Sequence, residues 1–173
     1  MKKFILGLLL LISMTLLSSC MSGGSMFINI NNDTKKADTR MENILEAIKD
    51  EDKDAIKQMF SKQAFNEIED FDAKIDCLFD IVQGEPESWK SVGDPVKYEK
   101  NDYGHKTKKL CAWYDVETDK GAYVIMFWDR TVDTDNPDNV GLFILNAVTA
   151  EDKDSIWESP IIGSYGAEDE KAE

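Results

Sequence analysis

Side chains of types that bind metals or do chemistry are sparse in this 173-residue sequence, and the densest group is a run of oxygen ligands. Hard cations such as calcium take six to eight oxygens, so the run is a candidate cation loop. It lacks the central glycine and the closing glutamate of an EF-hand. An acidic turn kept soluble by Asp, Asn and Pro is therefore the favoured interpretation, and we expect no metal. The run contains Asp129, Asp133, Asp135, Asn136, Asp138 and Asn139.

The sequence also lacks the short motifs that build common catalytic centres. His105 is the only histidine, and its neighbours Gly104 and Lys106 indicate a solvated turn. No Cys-x-x-Cys, His-x-x-x-His, Gly-x-Ser-x-Gly or phosphate-cradling glycine loop occurs in the chain. We therefore expect no cofactor, and enzyme activity is the less favoured interpretation.

Aspartate and tyrosine residues on the predicted strands are candidates for a catalytic base and a proton donor. Tyr114 and Asp115 are adjacent on a predicted strand, so their side chains point to opposite faces. Tyr123 and Asp129 share a face, but six residues of strand separate them by about 20 Å. Neither pair predicts a hydrogen-bonded site, and we assign no catalytic residue.

Cys20 has the surroundings that most clearly indicate a covalent modification. Lys2 and Lys3 precede an apolar run over residues 4–17, which is shorter than the roughly 20 residues of a spanning helix. The run ends in Leu-Ser-Ser-Cys at residues 17–20, which resembles the lipobox of bacterial lipoproteins. The resemblance implies a signal peptide at residues 1–19 and acyl chains such as palmitate on Cys20. It also implies anchorage at the outer, extracytoplasmic face of the cell membrane.

Two further thiols, Cys77 and Cys111, remain once Cys20 carries lipid. Outside the cytoplasm a disulfide is permitted, and these two residues allow only one pairing. The bond requires Cα atoms within about 7 Å of each other, which the sequence does not show. The alternative is a pair of small, buried apolar side chains.

The charge balance excludes one class of partner. The chain has 20 Lys and Arg against 34 Asp and Glu, a formal net charge of −14. Such a surface repels phosphate backbones and anionic lipid headgroups, so we expect no nucleic-acid binding. Solubility is its main consequence, and the lipid on Cys20 is the expected contact with the membrane.

The elements that would position these residues fall into two halves. Helical spacing of apolar residues predicts three helices near residues 33–48, 55–60 and 66–82, with Asp33 or Thr34 and then Asn66 as caps. After Gly84 the period changes to two. Strands are predicted near residues 89–92, 96–100, 106–117, 122–129 and 140–149. Three helices packed on a curved antiparallel sheet make an α+β fold.

A resemblance supports this order of elements. The segment Ala47–Ser61 places an acidic turn between two helices and ends in Phe60-Ser61. It resembles the cone-shaped, cystatin-like folds of the nuclear-transport-factor-two-like superfamily. The resemblance implies one cone domain at residues 33–163, between a tether at 20–32 and an acidic tail at 164–173. The chain is also similar to small lipoproteins of unknown function, and a homodimer through the open sheet face is a further expectation.

The large aromatic residues are the remaining candidates for a binding site. Most should pack on the long helix, whereas Trp113, Tyr123 and Trp128 are candidates to line the open end of a cone. We therefore favour a non-catalytic, lipid-anchored module that binds a small apolar ligand, a peptide or a protein. The alternatives are an enzyme with a carboxylate base in the cone and a structural or immunity-like surface protein.

Overall fold

The computed structural model describes residues 24–158 and 161–163, with side chains from residue 32 onward in these ranges. The described residues fall into two units that divide after residue 33. The predicted signal peptide, Cys20 and the acidic tail at 164–173 lie outside the described residues and stay predictions. Within the described residues, no helix is both long and apolar enough to cross a membrane.

The first helix, α1 (Gly24–Lys49), begins earlier than the sequence suggested. Neither Asp33 nor Thr34 is its cap, and the backbone of residues 24–32, in the predicted tether, is helical. No proline interrupts this stretch, so nothing in its backbone chemistry stops the helix. The predicted inward face of α1 is confirmed, because its apolar stripe is buried. The stripe consists of Ala37, Met41, Ile44, Leu45 and Ile48.

Three more helices follow in the described chain: α2 (Lys53–Met59), α3 (Lys62–Glu67) and α4 (Phe71–Ile81). The third predicted helix is therefore two helices. Ser61 caps α3, since its Oγ accepts a hydrogen bond from the Ala64 amide at 3.1 Å. Ile68 then leaves the helical conformation, and Asp70 takes a left-handed one with φ 51° before α4 begins. Asn66 lies inside α3 rather than at a helix start.

The second half of the chain is a six-stranded open sheet, and all of its strand pairs are antiparallel. The order is β1-β3-β4-β5-β6, and β2 also pairs with β3. Strands β1 and β2 lie end to end along the same edge of β3. The predicted α+β class and antiparallel sheet are confirmed. The strands are β1 (Pro86–Ser91), β2 (Val96–Asp102), β3 (His105–Thr118), β4 (Ala122–Asp133), β5 (Gly141–Thr149) and β6 (Ile162–Gly163).

Strand register sorts the side chains of the sheet onto two faces. Tyr114 pairs with Ile125 and Leu110 pairs with Asp129, so these four side chains share the face on which α1 packs, here called the inner face. Cys111 pairs with Trp128, which places both on the opposite or outer face. Two 3₁₀ segments, Pro137–Asn139 and Ala150–Trp157, flank β5 in the chain.

The segment Ala150–Trp157 covers part of the outer face. The Trp157 ring meets the Trp113 ring edge-on, with centroids 5.2 Å apart. Buried Asn146 on β5 fastens the segment: its Nδ2 donates to the Ile156 carbonyl at 2.5 Å, and its Oδ1 accepts from the Ile161 amide at 3.2 Å. The rest of the outer face, toward β2, carries the surface described below.

Candidate functional site

Side chains fill the inner face of the sheet. The Tyr114 ring packs edge-on against Trp89 at 5.4 Å and lies nearly parallel to Phe127 at 6.0 Å. Tyr114 and Phe127 are fully buried, as are Met41 and Ile44 of α1. Fully buried aromatic and aliphatic side chains therefore occupy the space between α1 and the central strands.

Tyr114 makes a polar contact with α1. Its hydroxyl donates a hydrogen bond to Asp38 Oδ1 at 3.0 Å. Burial, together with the hydrogen bond and charge of Asp38, raises the pKa of the Tyr114 hydroxyl far above its usual value of 10. Tyr114 therefore stays protonated at any ordinary pH and acts here as a donor to Asp38.

Asp129, a carboxylate on the inner face, pairs with a cation. Arg40 Nε donates to Asp129 Oδ2 at 2.8 Å, and the two side chains are 24% and 9% exposed. Asp38 and Arg40 thus flank the apolar stripe of α1, and each bonds to a different strand. Sequence reasoning missed both residues, because polar residues beside an apolar stripe usually face water. The two contacts fasten α1 to the sheet.

The three predicted pocket residues do not face one another. Trp113 and Trp128 lie on the outer face, whereas Tyr123 pairs with Val116 and lies on the inner face. Five residues separate Tyr123 from Trp128 on one strand, and an odd separation puts side chains on opposite faces. Alternation along the strand therefore contradicts a single pocket lined by all three.

The outer face carries a row of rings that we call the aromatic surface: Tyr98, Trp128 and Phe143, with the cations Lys109 and Arg130. Tyr98 and Trp128 stack with centroids 5.3 Å apart, and Trp128 lies 5.9 Å from Phe143. Lys109 Nζ and the Arg130 guanidinium lie 5.6 and 5.7 Å from the Phe143 centroid. Tyr98 is 54% exposed, Trp128 is partly buried and Phe143 is buried.

These contacts define what the aromatic surface can do chemically. Ring faces give apolar contact area at a low conformational-entropy cost, because each aromatic side chain has only two rotatable bonds. Lys109 and Arg130 add positive charge beside the rings, and the Arg130 side chain, 9% exposed, contacts Asp133 at 3.3 Å. Tyrosine, tryptophan and arginine are the residue types enriched in binding hot spots, and Tyr98 is the exposed member of this row. The signal in the sequence was Trp128, to which the structure adds Tyr98 and Phe143.

The acidic run has a structural organiser in Asp133. Its two carboxylate oxygens accept hydrogen bonds from the Asn136 amide at 2.9 Å, the Asn139 side chain at 3.0 Å and the Asp135 amide at 3.2 Å. Arg130 Nη1 adds a contact of 3.3 Å. Burial acts to raise the pKa of Asp133, but these hydrogen bonds and the Arg130 charge outweigh it and lower the pKa below its usual value. The loop is thus held by its own groups.

The remaining candidates lie apart from one another. Cys77 on α4 is exposed and Cys111 is buried, and both thiols are free, so the disulfide that the sequence left open is not formed in the structure. Burial raises the pKa of the Cys111 thiol to about 12. His105 is exposed and contacts Asp135 at 2.6 Å. Among the described residues, no three acidic, histidine or cysteine side chains are grouped to hold a metal.

Two open grooves lie beside the helices. One, of about 340 Å³, runs between α1 and α2 past Glu46, Asp50 and Asp52. The other, of about 510 Å³, lies between the ends of α1 and α4 and the turn at Asp119 and Lys120. Neither contains a residue of the aromatic surface.

The fold and these surfaces define an α+β protein in which α1 packs on one face of an open antiparallel sheet and aromatic rings line part of the other. Residues 43–150 match the family described as "Domain of unknown function (DUF5104)", and the chain belongs to that family. The match runs from within α1 to the end of β5 and so includes the whole aromatic surface. No curated protein matches the sequence.

Proposed function

We propose that this protein is an extracytoplasmic lipoprotein that binds a protein or peptide partner through the aromatic surface and performs no catalysis. A lipid on Cys20 would anchor it, and residues 33–163 would form a cone of the nuclear-transport-factor-two-like type. The observation that carries the proposal is the contrast between the two faces of the sheet. The inner face is filled and its carboxylates are bonded, while the outer face leaves Tyr98 exposed and stacked on the partly buried Trp128.

The composition of the surface favours a polypeptide over a small apolar ligand. A small apolar ligand is usually held in a concave site that buries most of its surface. Tyr98, Trp128 and Phe143 form instead a row across the sheet, on β2, β4 and β5, with Tyr98 more than half exposed. A row of this kind suits an extended or helical partner that lays apolar side chains across it.

Metabolic labelling tests the proposed lipid anchor on Cys20. Cells fed an alkyne fatty acid should incorporate it into the wild-type chain, and the variant Cys20→Ser should carry none. The variants Cys77→Ser and Cys111→Ser are the controls, because these thiols lie in the folded domain and should leave labelling unchanged. Equal labelling of Cys20→Ser and the wild type would refute the proposal that this protein is a lipoprotein anchored through Cys20.

Site-specific photo-crosslinking in intact cells tests the binding surface. A photoreactive phenylalanine analogue in place of Tyr98 should give a discrete crosslinked species, and Trp128→Ala in the same chain should weaken it at least tenfold. The matched control is the same analogue at Glu42, which is exposed on α1. A product of twice the chain mass would identify a second copy as the partner. Equal crosslinking at both positions, or none at Tyr98, would refute the surface.

A further inference from the structure

The hairpin formed by β2 and the first part of β3 differs from the rest of the molecule in charge. Residues 96–109 contain five lysines and two acidic residues, a net charge of +3, in a chain whose total is −14. Of the two acidic residues, Glu99 contacts Lys97 at 3.5 Å and Asp102 is exposed next to Tyr103, while Asp135 of the neighbouring loop contacts His105 at 2.6 Å. The overall negative charge therefore conceals a basic region.

The hairpin is also the most exposed part of the sheet. All seven residues of β2 are exposed, and β2 pairs with β3 alone among the named strands. The turn at its tip consists of Tyr103 and Gly104, both with left-handed backbone, at φ 49° and φ 98°. The Tyr103 side chain is fully exposed there, and Lys100 and Lys106 are exposed on either side of it.

We propose that the tip of this hairpin docks on an anionic lipid surface, with Tyr103 at the headgroup level and Lys100 and Lys106 beside it. Tyrosine and lysine both place an apolar stem against acyl chains and a polar end in the headgroup region. Each lysine near an anionic membrane strengthens the attraction about fivefold. Tyr98, on the same hairpin, links this contact to the aromatic surface.

This inference rests on the lipid anchor of the proposed function, because one weak contact alone does not hold a protein at a membrane. Stable attachment takes two signals, and an anchored chain meets the bilayer at a high effective concentration. Once the lipid holds the chain at the membrane, a hairpin with only a local positive charge is sufficient as the second contact. It would hold the domain in one orientation, while the remaining surface of the domain is strongly acidic and is repelled by the membrane.

Hydrogen exchange of the full chain on vesicles tests the docking. The chain is mixed with vesicles of phosphatidylcholine, or of phosphatidylcholine with about a third phosphatidylglycerol, and floated before exchange. Peptides covering residues 96–109 should exchange more slowly on the anionic vesicles, and high salt should reverse this protection. K100E/K106E should abolish the difference. The matched control K90E/K153E changes the charge equally at exposed lysines outside the hairpin and should keep it.

The outcomes separate the anchor from the docking. Flotation with both vesicle types, but equal exchange of the hairpin on both, overturns the docking and leaves the anchor standing. Flotation with the anionic vesicles alone, lost in K100E/K106E, refutes the anchor and supports the docking. Flotation with neither type overturns both. Soluble polyglutamate that protects the hairpin as well as anionic vesicles do would assign the surface to an acidic protein and overturn the lipid proposal.

Discussion

Replacing Arg40 should show whether the inner carboxylates are structural or catalytic. Arg40→Ala leaves Asp129, with a side chain only 9% exposed, without the cation at 2.8 Å. Breaking a fully buried ion pair costs about 3–5 kcal/mol. Because the Arg40 side chain is 24% exposed, water screens part of the interaction, and we expect about 2 kcal/mol. At about 2–4 °C per kcal/mol for a domain of this size, the melting temperature should fall by about 4–8 °C.

The reciprocal variant should cost less, which makes the test a double-mutant cycle. Asp129→Ala leaves an arginine that can swing into water, so we expect a loss of about 1 kcal/mol. The double variant R40A/D129A should then be more stable than R40A alone, because no buried charge remains unpaired. Urea unfolding followed by tryptophan fluorescence gives the four free energies of unfolding.

An exposed ion pair of the same length is the control. Lys62 and Asp138 also meet at 2.8 Å, but their side chains are 77% and 61% exposed, so Lys62→Ala should change stability by less than about 0.5 kcal/mol. Equal effects of R40A and K62A would refute the reasoning. A gain of stability in D129A would also refute it, because neutralising a strained catalytic carboxylate commonly stabilises a protein.

Three further predictions concern other contacts. In the folded chain, Cys77 should react with a thiol reagent at pH 8, whereas Cys111 should react only after unfolding; equal rates would contradict the burial that raises the Cys111 pKa to about 12. Because the pKa of Asp133 is lowered, its contribution to stability should be complete above the ordinary value of 3.8 and should be lost as the pH falls below that value. The variant D133N should therefore lose less stability than the wild type between neutral and acidic pH. An equal loss of stability in both proteins would contradict the role of Asp133. Asn146→Leu should destabilise the fold by about 2 kcal/mol and change the fluorescence of Trp157, since the carbonyl of Ile156 and the amide of Ile161 lose their partner; unchanged fluorescence would show that Asn146 does not hold the segment.

The periodicity of apolar residues predicted most helices and strands, but not where they begin and end. Alternation predicted β3 and a continuous apolar run predicted β5, each nearly residue by residue, because β3 buries mainly one face and β5 buries both. The division between α3 and α4 depends on the Ser61 cap and on the left-handed backbone of Asp70. A left-handed residue other than glycine is difficult to recognise from the sequence. The early start of α1 was hidden in the same way, since a cap at Asp33 and a continuous helix fit the same residues.

The candidate site was predictable only in part, because it depends on register. Trp113 and Trp128 were named with Tyr123 as candidates to line a pocket, but their separation from Tyr123 follows from the odd spacing along β4. Tyr98 joins Trp128 because β2 pairs with β3 in a register that puts Val96 opposite Cys111. The roles of Asp38 and Arg40 become visible only in the folded protein, where α1 packs on the sheet and their partners lie on β3 and β4. Contacts between residues distant in sequence are not encoded in any local pattern.

Radical footprinting of the aromatic surface on intact cells tests the central claim most directly. Oxidation of Tyr98 and Trp128 is compared, by mass spectrometry, between the protein on cells and the purified chain, with exposed Trp157 as an internal reference. If a partner occupies the outer face, Tyr98 and Trp128 should be oxidised several-fold more slowly on cells, while Trp157 should change little. Equal oxidation of all three residues in both settings would contradict the account.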